Sequence, residues 1–576
     1  MAAGRGHRGR LRPAGYRPAV PPARPQEAPA LSGPSFRLLG ALLLAAAALL
    51  YGARLGATGF WAPDEPRYGH VAEEIRAGRH GAAGLVLLHV NGEPYTQKPP
   101  LYFWLAAAAG APRGRVSEVA ARLPSALAGV ALVGVVLLFG RRLLDARSAL
   151  LGAALLLTGF ELADNARRVQ LDVLLTLCET LALAAFWRLD RGRGRPAASQ
   201  AWLHGALGLA VLTKGPVGFL VPVLVMAAFL AWEGRLRALR RVFPWWGPLL
   251  SIAPALAWIA GAVALAPPGF FGEAVLDNLF GRFFAGTSHE RPFYYYLYQF
   301  PLNFLPWFLL APAVWSAARR EVFAPGADPG ARRSWRFLLA WVAITLVFFS
   351  LSSGKRGIYA LTCHPAAALL VADAVWRRAC ARGGVPPLVH AATALLATGL
   401  AAGGIGVALA DPLRDPAASL ATGGAALAIA ALGAVAAVVL PRAAAPLGAR
   451  LALPVAMVFG FELVLFTVTW PARDPEKSPR SLAEAAAALT PEEGAIGLVG
   501  DRALTGGLAY YGRRRVAPLE SPEEIARFFA SGGRAVVVQA RKLDRVEAAA
   551  PVAIAFRARE GRRQLVVATP RSTAGE

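Results

Sequence analysis

Long apolar stretches recur along this chain, and they set the strongest limit on its fold. Examples lie at 38–51, 123–139, 217–232, 337–351, 388–410 and 451–470. A bilayer core about 30 Å thick is crossed by roughly 20 helical residues. With 56% hydrophobic residues and a mean hydropathy of +0.44, a soluble fold would have no place for so many apolar side chains. The pattern predicts a polytopic α-helical membrane protein.

The formal net charge of +25 raises nucleic-acid binding as an option, and its distribution argues against it. Arginines gather in short segments between apolar runs: Arg141, Arg142 and Arg147; Arg188, Arg191, Arg193 and Arg195; Arg235, Arg237, Arg240 and Arg241; Arg319, Arg320, Arg332, Arg333 and Arg336; Arg377, Arg378 and Arg382. Cytoplasmic loops carry such an excess under the positive-inside rule. The three cysteines, Cys178, Cys363 and Cys380, form no disulfide framework or zinc spacing.

Residues 1–35, rich in Arg, Pro, Ala and Gly, read as a disordered basic cytoplasmic tail. Residues 36–470 form the transmembrane domain. Thirteen spans are expected, near 37–54, 119–140, 148–160, 169–187, 201–213, 217–232, 244–266, 301–316, 337–352, 358–375, 385–409, 419–440 and 451–470. Threaded from inside, they put each arginine cluster in the cytoplasm. Loops 55–118 and 267–300 and the tail 471–576 then lie outside. In that tail, strand candidates at 495–499, 535–539, 552–556 and 564–568, with a helix over 521–530, predict a small α/β domain. It carries no catalytic motif.

The chemistry-bearing residues cluster at the outer boundary. In the first loop, Asp64 and Glu65 open an amphipathic surface helix, where the dipole favours their ionised forms. Asp64 reads either as an N-cap or as a functional carboxylate. Asp172 lies just inside the outer end of an apolar helix, where a carboxylate is a functional candidate unless it pairs with Arg167 or Arg168. Lys98, Lys214, Lys355 and Arg356 lie at the same level, as snorkelling anchors or as a converging cation set for a phosphate-bearing ligand. His289 is a candidate metal ligand or base, and 293–296 is an aromatic run suited to an interfacial belt or to stacking on sugars.

The runs DEPRYGHVAEEI, NGEPYTQKPPLYFWL, RRVQLDVLL, LTKGPV, HERPFYYYL and SLSSGKRGIYALTCHP follow one another in this order. In this the chain resembles the ArnT-like and protein-O-mannosyltransferase-like glycosyltransferases, over about residues 35–375. The resemblance implies the C-type glycosyltransferase fold. It also implies an enzyme of the bacterial inner membrane that moves a sugar from a polyprenyl (undecaprenyl) phosphate carrier to an acceptor at the periplasmic face: lipid A, another glycolipid or glycan, or protein. Under it, Asp64, Asp172 and Glu65 are the catalytic candidates. Lys98 and Arg67, with Lys214, Lys355 and Arg356, are candidates for the donor phosphate, and Tyr68, Tyr95 and Tyr359 for substrate. The lipid A branch has Glu before the KPP lysine, where it helps hold zinc with a histidine matching His289. Gln97 stands there in this chain, and a neutral amide is a poorer ligand for a divalent cation. A polytopic transporter or lipid flippase is the alternative reading; interrupted repeats near the bilayer midplane would mark it, and no clear repeat is visible.

Overall fold

The structure is a computed structural model that describes residues 31–61, 63–270, 272, 290–382, 384–410, 416–439, 447–561 and 563–571. Most of the basic tail, His289 and the middle of loop 267–300 lie outside the described residues.

Nine helices lead into and out of the site: α1 (Gly33–Gly52), α2 (Asp64–Arg76), α3 (Leu101–Gly110), α4 (Glu118–Leu143), α5 (Ala146–Leu157), α6 (Phe160–Ala166), α7 (Leu171–Asp190), α8 (Pro196–Lys214) and α9 (Val217–Trp232). Local chemistry sets their starts. Ser32 caps α1, and Pro34 lies in its first turn, where no amide partner is needed. Ser117 caps α4 through the Ala120 amide, and Asp145 caps α5 through the amides of Arg147 and Ser148. Helix α4 packs on α1, α5 and α7, and α7 on α8. One continuous apolar core runs through them, with Trp335, Trp341, Tyr51, Tyr102 and Phe186 fully buried. The outward flanks stay apolar, as at Leu38, Leu138 and Leu249, which is what a lipid-facing surface requires.

The described residues do not confirm the count of thirteen spans. Seven helices are long and apolar enough to cross a membrane, or nine if each of two bent pairs is one span. The pairs are α5 with α6, bent by 60°, and Tyr295–Asn303 with Trp307–Phe323, bent by 104°. Two of the expected spans fall outside this set because α7 carries Asp172, Glu179 and Arg188 and α9 has only 16 residues. Apolar runs marked the helices but not whether each one crosses in full.

The C-terminal region forms a five-stranded mixed sheet. Numbering after the short hairpin β1 (His89–Val90) and β2 (Glu93–Pro94), its strands are β3 (Ala495–Val499), β4 (Arg515–Leu519), β5 (Val536–Gln539), β6 (Val552–Glu560) and β7 (Arg563–Pro570). The order is β4-β3-β5-β7-β6, with β3 parallel to both neighbours and β5-β7-β6 antiparallel. Val536, Val537 and Val538 are buried at its centre, as expected of a strand covered on both faces. Ser521 caps helix Pro522–Ala530 through the Glu524 amide at 3.2 Å. Sequence reading missed β4, whose Pro518 and Arg515 break the apolar pattern.

This sheet unit docks on the first loop rather than hanging free. Asn91, in the β1–β2 turn at φ 57, donates to the Val516 carbonyl and accepts from the Val516 amide, both at 2.9 Å. The Asn91→Gly variant keeps the turn's positive φ and deletes both bonds. Losing them should weaken docking by about 1–2 kcal/mol. Faster amide exchange at 515–519, with exchange in α4 and α7 unchanged, is the expected signature.

Candidate active site

Helix α2 begins without a side-chain cap; Pro66 sits in its first turn, and Asp64 and Glu65 are its first two residues. Successive helical residues point about 100° apart, so the two carboxylates separate at once.

Glu65 turns inward. It is 4% exposed and accepts from Arg122 Nε at 2.9 Å and Nη2 at 3.0 Å, from the Trp61 amide and from the Val169 amide. Burial opposes its charge, and the Arg122 guanidinium overcomes this, holding its carboxyl below the usual range. Its oxygens are engaged by Arg122 and two backbone amides, so in this structure Glu65 anchors the loop. Arg122 itself was not singled out in the sequence. It is 2% exposed and also donates to the carbonyls of Leu55, Thr58 and Gly59.

Asp64 turns the other way, into a cationic setting. Arg67 bonds one carboxylate oxygen, and Arg356 Nη1 reaches the other at 3.1 Å. Burial raises its pKa, and the charges of Arg356 and Arg67 outweigh that, so the carboxyl is held below the aspartate range. The N-cap reading fails: Pro63 occupies the cap position, and Asp64 bonds side chains instead. Residues 292 apart in the chain are thereby joined, since Arg356 follows the helix Pro329–Leu351. The Arg356 carbonyl accepts from the Tyr296 hydroxyl at 2.8 Å, which fixes its backbone.

Around this triad stand the tyrosines. Tyr68 is buried, with Arg67 5.5 Å from its ring centre and Phe103 edge-on at 5.6 Å. Tyr95 packs against the same Phe103 at 5.7 Å. Tyr359 lies under Lys214, whose ammonium is 4.3 Å from the ring centre.

Asp172 pairs with Lys214 and not with either arginine weighed from the sequence. Arg167 instead caps α1 through the carbonyls of Leu50 and Ala53, and Arg168 bonds Asp164 at 2.8 Å while lying over Trp61 and Trp470. Lys214 is thus committed to a carboxylate. Lys355 is also committed: it is 5% exposed and donates to the carbonyls of Arg291, at 3.0 Å, and Ser352. Its ammonium joins the segments of Arg291 and Ser352. Gln97 and Lys98 lie half-buried in the segment between β2 and α3. Among the described residues no group of three His, Cys, Asp or Glu side chains is placed to hold a metal, and His289 lies outside them. Gln97 is the one zinc-site position that is described, and it offers an amide.

The C-terminal unit reaches this site. Asp474 accepts from the Gly59 amide and the Trp61 indole at 2.9 and 2.8 Å; the Tyr511 hydroxyl accepts from the Phe60 amide at 2.6 Å and donates to Glu118 at 3.0 Å. Gly506 presses on the backbone of Arg67: a Cβ there would lie 2.5 Å from the Arg67 Cα.

Residues 37–269 match the family described as dolichyl-phosphate-mannose-protein mannosyltransferase. An undecaprenyl phosphate-alpha-4-amino-4-deoxy-L-arabinose arabinosyl transferase of Pseudomonas savastanoi pv. phaseolicola is 33% identical over 347 residues, which cover 58% of this chain and 61% of that protein. One of Pseudomonas fluorescens is 32% identical over 376 residues, covering 62% and 61%. The match thus spans about three-fifths of the length of these curated relatives. The crystal structure of ArnT from Cupriavidus metallidurans bound to undecaprenyl phosphate superimposes with a TM-score of 0.74 at 23% identity, covering 93% of this chain and 99% of that one. The chain is similar to these transferases over part of its length and shares the fold of that ArnT structure.

Two variants test the construction of the site. Arg122→Met leaves Glu65 buried without its partner and should cost about 3–5 kcal/mol, read as a lower unfolding temperature in detergent; the double variant E65Q/R122M should recover part of it. Gly506→Ala should displace the first turn of α2, so any ligand that binds at Asp64 and Arg67 should bind more weakly while the helical content by circular dichroism holds.

Proposed function

We propose that this chain, with its ArnT-type fold, is a polyprenyl-phosphate-sugar-dependent glycosyltransferase of a bacterial inner membrane. It takes a sugar from an undecaprenyl phosphate-type donor and transfers it to a lipid or glycan acceptor, with lipid A one candidate, by a single inverting displacement. The observation that carries the reading is Asp64 clamped between Arg67 and Arg356 at one end of the helical bundle. The curated relatives' names support the donor class and a pentosyl-type sugar. The arginine clusters at the far ends of α7 and α9 support a cytoplasmic placement there, and hence a periplasmic one for Asp64 and the sheet unit packed beside it.

In the reaction, the bond between the anomeric carbon and the donor phosphate breaks. The electron pair leaves with the polyprenyl phosphate, and the acceptor oxygen bonds the opposite face of the same carbon. A phosphate is already a good leaving group, so it needs its developing charge met more than it needs an acid. Arg67 and Arg356, both partly buried, supply that charge, with Lys98 a further cation candidate. An incoming phosphate competes with Asp64 for the two guanidiniums. Asp64 then loses the partners that held its pKa down and becomes the stronger base. For a hydroxyl acceptor it takes the proton as the bond forms. For a phosphate acceptor, already ionised, it orients. Asp172, neutralised by Lys214 over Tyr359, shapes the floor. Glu65 and Lys355 act on the loops alone.

The Asp64→Asn variant should fold, keep donor binding and lose transfer by at least about a hundredfold; full activity would remove Asp64 from the chemistry. The competition also has a pH signature. In the free protein Asp64 titrates low, so the acid limb of kcat/KM should lie at lower pH than the acid limb of kcat, measured with a hydroxyl acceptor. Coincident limbs would mean that the arginines stay on Asp64 when the donor binds.

A further inference from the structure

Helix α7 begins at the candidate active site with Asp172 and ends on the opposite side of the bundle. Arg188 stands 16 residues further on, about 24 Å along the axis. There the structure holds a recess of ≈ 390 Å³ between the ends of α4 and α7. Four guanidiniums line it, from Arg142, Arg188, Arg191 and Arg193, against apolar walls that include Leu138 and Trp187.

Among the described residues, no carboxylate neutralises the four: Arg188 Nε reaches only the Arg193 carbonyl, at 3.3 Å, and Arg191 lies 6.0 Å from the Trp187 ring centre. The carboxylates of the same bundle end are spent on its other flank. Asp190 is taken by Arg235 and Arg333, and Glu233 by Arg336. A general excess of inner-face arginine predicts scattered, solvated charges. It does not predict one neutralised cluster beside one wholly cationic recess.

The loop is also shaped for this arrangement. Gly192 and Gly194 have φ of 63° and 80°, which turns the chain back so that the Arg193 amide meets the Arg188 carbonyl. A Cβ on Gly194 would lie 2.4 Å from Arg188 Nη2, and at φ 80° it would also strain the backbone, so a larger residue there moves the Arg188 guanidinium or the loop. Leu138, 57% exposed, continues the apolar wall onto the lipid-facing flank of α4.

We propose that this recess is a binding site for a net-anionic diacyl phospholipid of the leaflet opposite the candidate active site. Its phosphodiester lies among Arg188, Arg191, Arg193 and Arg142, and its acyl chains run along Leu138. Phosphate geometry suits the guanidinium fork, and basic recesses at helix ends on the cytoplasmic side suit anionic headgroups. The apolar wall selects a lipid over a free phosphate.

Native mass spectrometry of the full chain in detergent tests this, with phosphatidylglycerol, phosphatidylethanolamine and inorganic phosphate as separate probes. Phosphatidylglycerol should be retained in preference to phosphatidylethanolamine, and millimolar phosphate should not displace it. Removing two guanidiniums in R188A/R191A should weaken retention by about thirtyfold. Because that pair also bears on membrane insertion, Gly194→Ala provides a second variant with every charge in place: it should lose the lipid preference, whereas attraction to surface charge alone predicts no change. Equal retention of the two lipids, an unaffected Gly194→Ala variant, or displacement by free phosphate would each overturn the assignment.

Discussion

The buried pair between Arg122 and Glu65 ties together the parts of the chain that make the site. One guanidinium receives a carboxylate and three carbonyls, and that carboxylate also receives two backbone amides. The segment after α1, the start of α2, helix α4 and the start of α7 therefore meet at one point. Charges survive such burial only when paired and hydrogen-bonded, so the arrangement admits little play. With Glu65 held inward, the turn of the helix sends Asp64 about 100° away, toward Arg67 and Arg356.

The two ends of the bundle use charge differently. At the Asp64 end each carboxylate of the site has a cation: Asp64 with two arginines, Asp172 with Lys214, Glu118 with Arg480. In the proposed reaction, near neutrality of this kind lets an entering phosphate exchange places with a carboxylate at small electrostatic cost. At the other end, one flank of α7 is balanced by Asp190 and Glu233, and the other is not. The same residue type, arginine, thus serves as scaffold, site and surface charge within one chain.

The sheet unit, which carries no catalytic motif, acts as a buttress. Asp474, Tyr511 and Arg480 hold the strip 59–61 and Glu118, and Gly506 lets the helix Thr505–Gly512 approach α2 closely. Without that backing, the first turn of α2 would rest on a single face. The unit's contribution to the site is positional, made through side chains that bond 59–61 and Glu118 and through the close approach at Gly506.

The sequence by itself determined the membrane-type helical architecture, the mixed α/β composition of the tail and the residues from which the site is drawn. Apolar runs, cap residues and short valine-rich strands are local signals, legible because they act through near neighbours. Asp64, Asp172 and Arg356 stood out by their place in the chain, and Arg67 and Tyr68 through the order of the motifs. Tertiary structure alone decided which charge meets which. Lys214 went to Asp172, Lys355 to two carbonyls, Arg356 to an aspartate 292 residues away, and Arg122, unremarkable within an apolar run, became the central anchor. It also decided which apolar helices bend instead of crossing straight through. Pairing of buried charge depends on distance in space, and no spacing along the chain encodes that.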